Sequence, residues 1–272
     1  MTVSDGRRLS IAALCRLAGR KARSAGRRAR WRLVEVLEPR SRVRARGLSL
    51  TLQCDNWITQ FRMETVETKE PETLDWIDGH LREDDLLFDI GGNIGVFTLY
   101  AALRHLRARV VVFEPEYSSL HLLRDNIVAN GLSERVQVYP FALGDRTGLS
   151  QLYVQDLTPG AALHTESERQ LWTTDSGERV VLSEGIWAMT LDEFCERAGL
   201  WPNALKIDVD GGEGRVLAGA QETLSRPGLR SLLVEAGDAG LGPDACDLLR
   251  RAGFSRHDTG RRSESGNEVW VR

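Results

Sequence analysis

Apolar positions along this chain gather in short unbroken runs, and most runs are followed by a stretch in which they return every three or four residues. Leu86-Leu87-Phe88-Asp89-Ile90 is one such run, with Glu83-Asp84-Asp85 before it and the glycine-rich Gly91-Gly92-Asn93-Ile94-Gly95 after it. Val96 to Leu103 then continues at helical spacing, so the pattern predicts strand, tight turn and helix. Ala108 to Glu114 is a second strand whose apolar centre suits burial on both faces. Pro115 stops it, and Ser118 or Ser119 is placed to cap a helix running to Asn130-Gly131. Val136 to Tyr139 is a third strand.

Farther on, Leu149 to Val154 and Val180 to Trp187 read as strands around a polar, loop-like segment, 155–179. An insertion of this length inside a domain is often a lid or binding loop. Helix and strand then alternate again: a helix over Leu191–Ala198, a strand over Ala204–Asp208 and a helix over Glu213–Leu224. A strand over Leu229–Glu235 and a helix over Asp244–Ala252 follow, then strands at Phe254–His257 and Asn267–Val271. Upstream, Leu48 to Gln53 alternates like a half-buried strand, and Pro71 opens a helix. Such alternation implies a mostly parallel, doubly wound α/β sheet with helices on both faces. The last two strands are joined by a short turn and must pair antiparallel, because a parallel pair needs a long crossover.

Charge divides the chain. Its net charge is -3, yet residues 1–50 hold 14 Lys/Arg against 3 Asp/Glu, leaving 22 basic and 36 acidic residues beyond Leu50. We expect a basic, helical N-terminal arm over 1–46 and a catalytic domain over 47–272. The arm suits an anionic partner (nucleic acid, lipid or acidic protein) or contact with a neighbouring subunit in a homo-oligomer, although charge runs are usually solvated. Cys15, Cys54, Cys195 and Cys246 show no metal-ligand spacing and point to a reduced, cytoplasmic setting. No apolar run is long enough to span a bilayer. Ser10 to Leu17 is short, broken by Arg16 and followed by arginines, so no secretory signal is expected.

The glycine pattern is D-x-G-x-N-x-G, which differs from the G-x-G-x-x-G of dinucleotide sites. Glu114 stands 19 residues after Gly95, at a strand end where an acid accepts hydrogen bonds from ribose hydroxyls. Both NAD and S-adenosylmethionine sites use such an acid.

Taken in order, several blocks resemble the FkbM family of S-adenosylmethionine-dependent methyltransferases. They are Asp89 to Thr98, Phe113-Glu114-Pro115, Asn126, Ala142 to Asp145, Thr190-Leu191-Asp192, Lys206 to Glu213 and Val216 to Ala220. The resemblance implies a class I, Rossmann-like sheet with an antiparallel C-terminal strand and an inserted hairpin. It also implies S-adenosylmethionine as cofactor, with Asp89, Gly91, Gly92, Asn93 and Gly95 around its methionine part and ribose. Glu114 would take the ribose hydroxyls, Pro115 and Ala142 would flank the adenine, and Glu70 would close over the amino group. Two positions depart from the family pattern: Gly92 replaces the usual Ala, which is expected to be harmless, and Asp210 replaces the usual Glu.

Methyl transfer needs alignment and a route for the acceptor's proton. Asp208, at the carboxyl end of a central strand, is the first candidate for base or acceptor-orienting residue. Asp210 and His164 are the others. Glu213 is equally suited to the N-terminal dipole of the next helix. Asp208, Asp210 and Glu213 together invite a divalent-ion reading, but no metal is assigned. Trp172, Trp187 and Trp201 are candidates for an acceptor wall or for core.

The expected activity is methyl transfer to a hydroxyl of a sugar, polyketide or other specialised metabolite. The competing readings are an N-methyltransferase acting on an amino-sugar, an NAD-dependent oxidoreductase, a nucleic-acid methyltransferase using the basic arm, and a cofactor-binding scaffold without catalysis.

Overall fold

The computed structural model describes residues 40–162, 164–167, 179–237, 240–257 and 266–272. Most of the expected basic arm therefore lies outside the described residues. Its end does not. Arg40–Ala45 forms strand β1, paired antiparallel with β2 (Leu48–Gln53), so the arm cannot run to 46 as a helix. Arg46 and Gly47 join the two strands with φ of 46° and 84°, the double positive φ of a tight type I′ hairpin. Arg46 locks this corner through Asp75 at 2.7 Å and Asp78 at 2.8 Å.

Helices α1 (Trp57–Glu64) and α2 (Pro71–His80) lead into β3 (Leu86–Ile90). Sequence periodicity missed α1, whose start is set by a capping box: the Asn56 side chain accepts from Ile58 and Thr59 N–H groups. After β3 come α3 (Val96–Arg104), β4 (Arg109–Phe113), α4 (Tyr117–Ala129) and β5 (Val136–Tyr139). The N-cap of α4 is Glu116, which accepts from Ser118 and Ser119 N–H groups, rather than either serine.

A second, four-stranded sheet follows: β6 (Ala142–Gly144), β7 (Gly148–Val154), β8 (Thr165–Ser167) and β9 (Leu182–Thr190). β7 and β9 form the expected inserted hairpin. β8 lies within the segment expected to be loop and pairs with β7.

The chain then runs through α5 (Leu191–Ala198), β10 (Ala204–Ile207), α6 (Glu213–Ala218), α7 (Gln221–Ser225), β11 (Ser231–Glu235), α8 (Pro243–Arg251), β12 (Ser255–Arg256) and β13 (Asn267–Val271). One helix was expected over 213–224; there are two. The break falls at Gly219, which passes so close to β6 that a Cβ there would sit 2.0 Å from the Gly144 carbonyl oxygen.

The main sheet has strand order β12-β13-β11-β10-β3-β4-β5. β10, β11, β3, β4 and β5 are parallel, and β13 is antiparallel to both β11 and β12. This is the doubly wound sheet with an antiparallel C-terminal strand expected from the sequence. Alternation assigns each strand's residues to two cores. Leu87, Val110 and Val112 pack under α2, α3 and α4, while Phe88, Ile90, Val111 and Phe113 face α5 to α8. Phe194 makes edge-on contacts with Phe113 and Tyr139 at 4.9 and 4.7 Å between ring centroids. Each such pair contributes about 0.5–1.5 kcal/mol beyond area burial. Successive strands leave β3 in opposite directions, so a crevice opens between the carboxyl ends of β3 and β10. Among the described residues no helix is long and apolar enough to cross a membrane.

Candidate active site

A cavity of about 620 Å³ occupies that crevice, a size typical of small-molecule sites. Its lining brings together most residues singled out in the sequence. Glu70, Gly91, Gly92, Asn93, Glu114, Pro115, Ala142, His164, Asp208 and Asp210 all line it. Asp89 and Gly95 are not among the lining residues. Gly95 is the N-cap of α3 at φ 90°, packed on Leu123.

The glycine turn is shaped by its neighbours. Gly91 and Gly92 N–H groups both donate to the Phe113 carbonyl, at 3.0 and 3.1 Å. Gly91 has φ 81°, and a Cβ there would lie 1.7 Å from the Asp208 carbonyl oxygen. The turn therefore rests directly on the end of β10, and only glycine fits. A Cβ on Gly92 would come 2.1 Å from Val112 Cγ2. The departure expected to be harmless is thus matched to Val112 in this chain.

Glu114 supports the same turn from β4. Its Oε2 accepts the Asn93 N–H at 2.7 Å, and its Oε1 accepts the Glu116 N–H at 2.8 Å. Burial pushes its carboxyl up to about 8 against the pull of those two N–H groups. A carboxylate has about four lone-pair positions, so two bonds leave capacity for a ligand. Asn93, at φ 49°, also donates from Nδ2 to the Ala161 carbonyl at 2.8 Å, tying the turn to the inserted segment. Asn126 is structural. It donates to the Ile94 carbonyl at 2.9 Å and accepts the Gln53 N–H at 2.8 Å.

Strand register explains the charges beneath the cavity. Lys206 on β10 is the register partner of Asp89 on β3, and period two places Asp208 on the same side as Lys206. Lys206 Nζ stands 2.8 Å from Asp208 Oδ2 and 3.5 Å from Asp89 Oδ1. Thr98 Oγ1 donates to Asp89 Oδ2, while Oδ1 has no hydrogen-bond partner among the described residues. Burial alone would lower the Lys206 ammonium, but Asp208 and Asp89 hold it above its ordinary value.

One residue past the last paired residues of β10 and β11, Ile207 and Val234, Asp208 and Glu235 lie side by side, close enough to share a proton. Burial, and then the Asp208 charge, push the Glu235 carboxyl well up. Burial would also raise Asp208, but Lys206 and the Glu235 bond bring it below the usual carboxylate range. The pair thus favours its negative charge on Asp208, beside Lys206, and its proton on Glu235. Glu235 was not singled out in the sequence; the available signal was an acid ending the otherwise apolar Leu232-Leu233-Val234.

Other candidates resolve differently. Glu213 Oε1 accepts the Val209 and Gly211 N–H groups at 3.0 and 3.1 Å and braces the turn. Among the described residues no three His, Cys, Asp or Glu side chains cluster as metal ligands. Trp187 and Trp201 do not line the cavity: Trp187 is half exposed, and the Arg226 guanidinium stacks 3.2 Å above Trp201. Trp172 lies outside the described residues.

Comparison with known proteins places the chain in a family. The Methyltransferase FkbM domain matches residues 89–256. The chain is 32% identical over 199 residues to the 31-O-demethyl-FK506 methyltransferase FkbM of Streptomyces tacrolimicus, covering 64% of this chain and 74% of that protein. It is 30% identical over 184 residues to the hexuronic acid methyltransferase AglP of Haloferax volcanii, covering 65% and 66%. The solved structure of methyltransferase FkbM from Methylobacillus flagellatus KT aligns with a TM-score of 0.47 at 17% identity, over 80% of this chain and 56% of that one. The domain match spans well over half of the chain and contains the glycine turn, Glu114 and Asp208, and the chain belongs to the FkbM family of methyltransferases.

Proposed function

We propose that the chain transfers a methyl group from S-adenosylmethionine to a hydroxyl of a small molecule such as a sugar or other specialised metabolite. The observation that carries this reading is a carboxylate kept ionised by Lys206, Asp208, in the same cavity as the Glu114-braced glycine turn. The relatives' names agree with an oxygen or sugar acceptor: one specifies a 31-O position and the other a hexuronic acid.

The residues fit the cofactor. Asp89 keeps a buried oxygen, 3.5 Å from Lys206 Nζ, with no hydrogen-bond partner among the described residues, suited to the donor's ammonium group through water. Glu114 has lone pairs left for a diol. Phe113 and Phe141, their rings tilted 60° to each other, line the cavity together with Ala142 as apolar surface. When bound, S-adenosylmethionine supplies a methyl group already activated for transfer. The chain's share is alignment and proton removal. Asp208 accepts a hydrogen bond from the acceptor hydroxyl and aims its oxygen. As that oxygen gives up electron density its proton becomes far more acidic than a carboxylic acid, so a carboxylate held low still takes it. Lys206 fixes the position of Asp208, and Glu235 donates to it from the side.

The test is transfer of a labelled methyl group from S-adenosylmethionine into pooled hydroxylated and amino-sugar metabolites. We expect ether-linked label from the wild-type chain and little from Asp208→Asn. Label bound only to nitrogen would overturn the hydroxyl assignment.

A further inference from the structure

Among the described residues four Lys and Arg side chains line the cavity, and three are matched by carboxylates. Lys69 Nζ is 3.0 Å from Glu70, Lys206 bridges Asp208 and Asp89, and Arg215 pairs with Glu166. Arg62, on α1, is the exception. Its Nε donates to the Gly160 carbonyl at 2.6 Å, and among the described residues it makes no ion pair and no other hydrogen bond. That carbonyl belongs to a pinned segment. Gly160 N–H donates to Ser119 Oγ at 3.2 Å, and Asn56 Nδ2 donates to the Pro159 carbonyl at 3.0 Å. One edge of the guanidinium is therefore anchored and its Nη fork is left over.

His164 supplies a second uncommitted donor. Its Nδ1 accepts the Gln155 N–H at 3.4 Å, which assigns the proton of the neutral ring to Nε2. Nε2 is buried and has no hydrogen-bond partner among the described residues. Burial lowers the imidazole below its ordinary value against the raising effect of the Glu116 and Asp156 carboxylates, and the Arg62 charge adds to the lowering. In this state His164 acts as a hydrogen-bond donor, a role different from the alternative base that the sequence offered beside Asp208. A buried N–H without an acceptor is costly unless a ligand meets it.

We propose that Arg62 and His164 form a carboxylate-binding subsite in the cavity. The planar Nη fork matches both oxygens of a carboxylate, and Nε2–H can serve a remaining lone pair. The carboxylate has two sources, the amino-acid end of the methyl donor or an acid group on the acceptor. The inference rests on the reading that this cavity is the transfer site.

Calorimetry separates the outcomes, using S-adenosylhomocysteine, its decarboxylated analogue and glucuronate as probes. If the donor is the source, Arg62→Ala weakens S-adenosylhomocysteine at least tenfold and leaves the decarboxylated analogue unchanged. His164→Leu then acts in the same direction, and His164→Gln, which keeps a side-chain N–H, restores much of the loss. If the acceptor is the source, both nucleosides bind as to wild type and Arg62→Ala abolishes glucuronate binding. Equal weakening of both nucleosides would mark a structural role and overturn the subsite, as would unchanged binding of all three probes. A wild-type chain that fails to bind S-adenosylhomocysteine would refute the donor site itself, leaving glucuronate to decide the subsite.

Discussion

Lys206 Nζ lies 2.8 Å from Asp208 Oδ2 and is 3% exposed, so one buried ammonium holds a carboxylate that lines the cavity. The same ammonium stands 3.5 Å from Asp89 Oδ1 on the neighbouring strand. Removing it strands the buried Asp89 and leaves the partly exposed Asp208 without its cation. Lys206→Met is expected to cost about 3–5 kcal/mol, read from the urea midpoint. A loss under about 1 kcal/mol, the scale of an exposed ion pair, would mean the cluster is far more hydrated than its burial indicates.

Glu114 makes both stability and binding depend on pH. Its folded-state value is raised from 4.5 to about 8 by burial. The folded chain therefore holds the extra proton between those values, and its contribution to stability is full below 4.5 and lost as pH rises through 8. Within that window the slope from this one group is about -1.4 kcal/mol per pH unit, and Glu114→Gln should remove it. A diol donating to the carboxylate favours the ionised form. S-adenosylhomocysteine binding should therefore release a proton below pH 8, seen as a dependence of calorimetric heat on buffer ionisation enthalpy.

Gly92 and Val112 should behave as a coupled pair. A methyl group on residue 92 enters the space of Val112 Cγ2, and Gly92→Ala is expected to lose about 1–3 kcal/mol by overpacking. In a Val112→Ala background the same change should cost clearly less, giving a favourable interaction energy in a double-mutant cycle. Additive losses would show that the turn accommodates Ala by other means.

Asp208 and Glu235 should separate by chemistry. Asp208→Asn removes the proton acceptor and is expected to slow transfer by about 10²–10⁴-fold while S-adenosylhomocysteine affinity holds. Glu235 is the protonated partner, so Glu235→Gln keeps a donor toward Asp208 and should be mild. Glu235→Leu removes the donor, and Asp208 loses that support. If Gln and Leu prove equally harmful, Glu235 acts through its charge instead.

The sequence was most legible where backbone chemistry leaves few choices. The D-x-G-x-N-x-G turn, the apolar strands on either side of it and Glu114 at a strand end were all readable from spacing. Strand β1 was hidden because arginines alternate with its few inward residues, Val43 and Ala45 among them, and the stretch reads as a charge run. Helix α1 has hydrophobic and polar residues nearly balanced, and Trp57 and Phe61 face outward. Lys206 was visible as part of a motif, but its role depends on register with Asp89, which single-chain spacing does not carry. Arg62 left no signal at all; its position depends on the Gly160 carbonyl, 98 residues away.

The central claim, that the glycine turn and Glu114 hold a methyl donor, is tested most directly by titrating the chain with S-adenosylhomocysteine and, separately, with NADH. The account predicts saturable binding of S-adenosylhomocysteine at one site per chain, weakened by Asp89→Ala and by Glu114→Ala, and no binding of NADH. Saturable NADH binding with none for S-adenosylhomocysteine would contradict it.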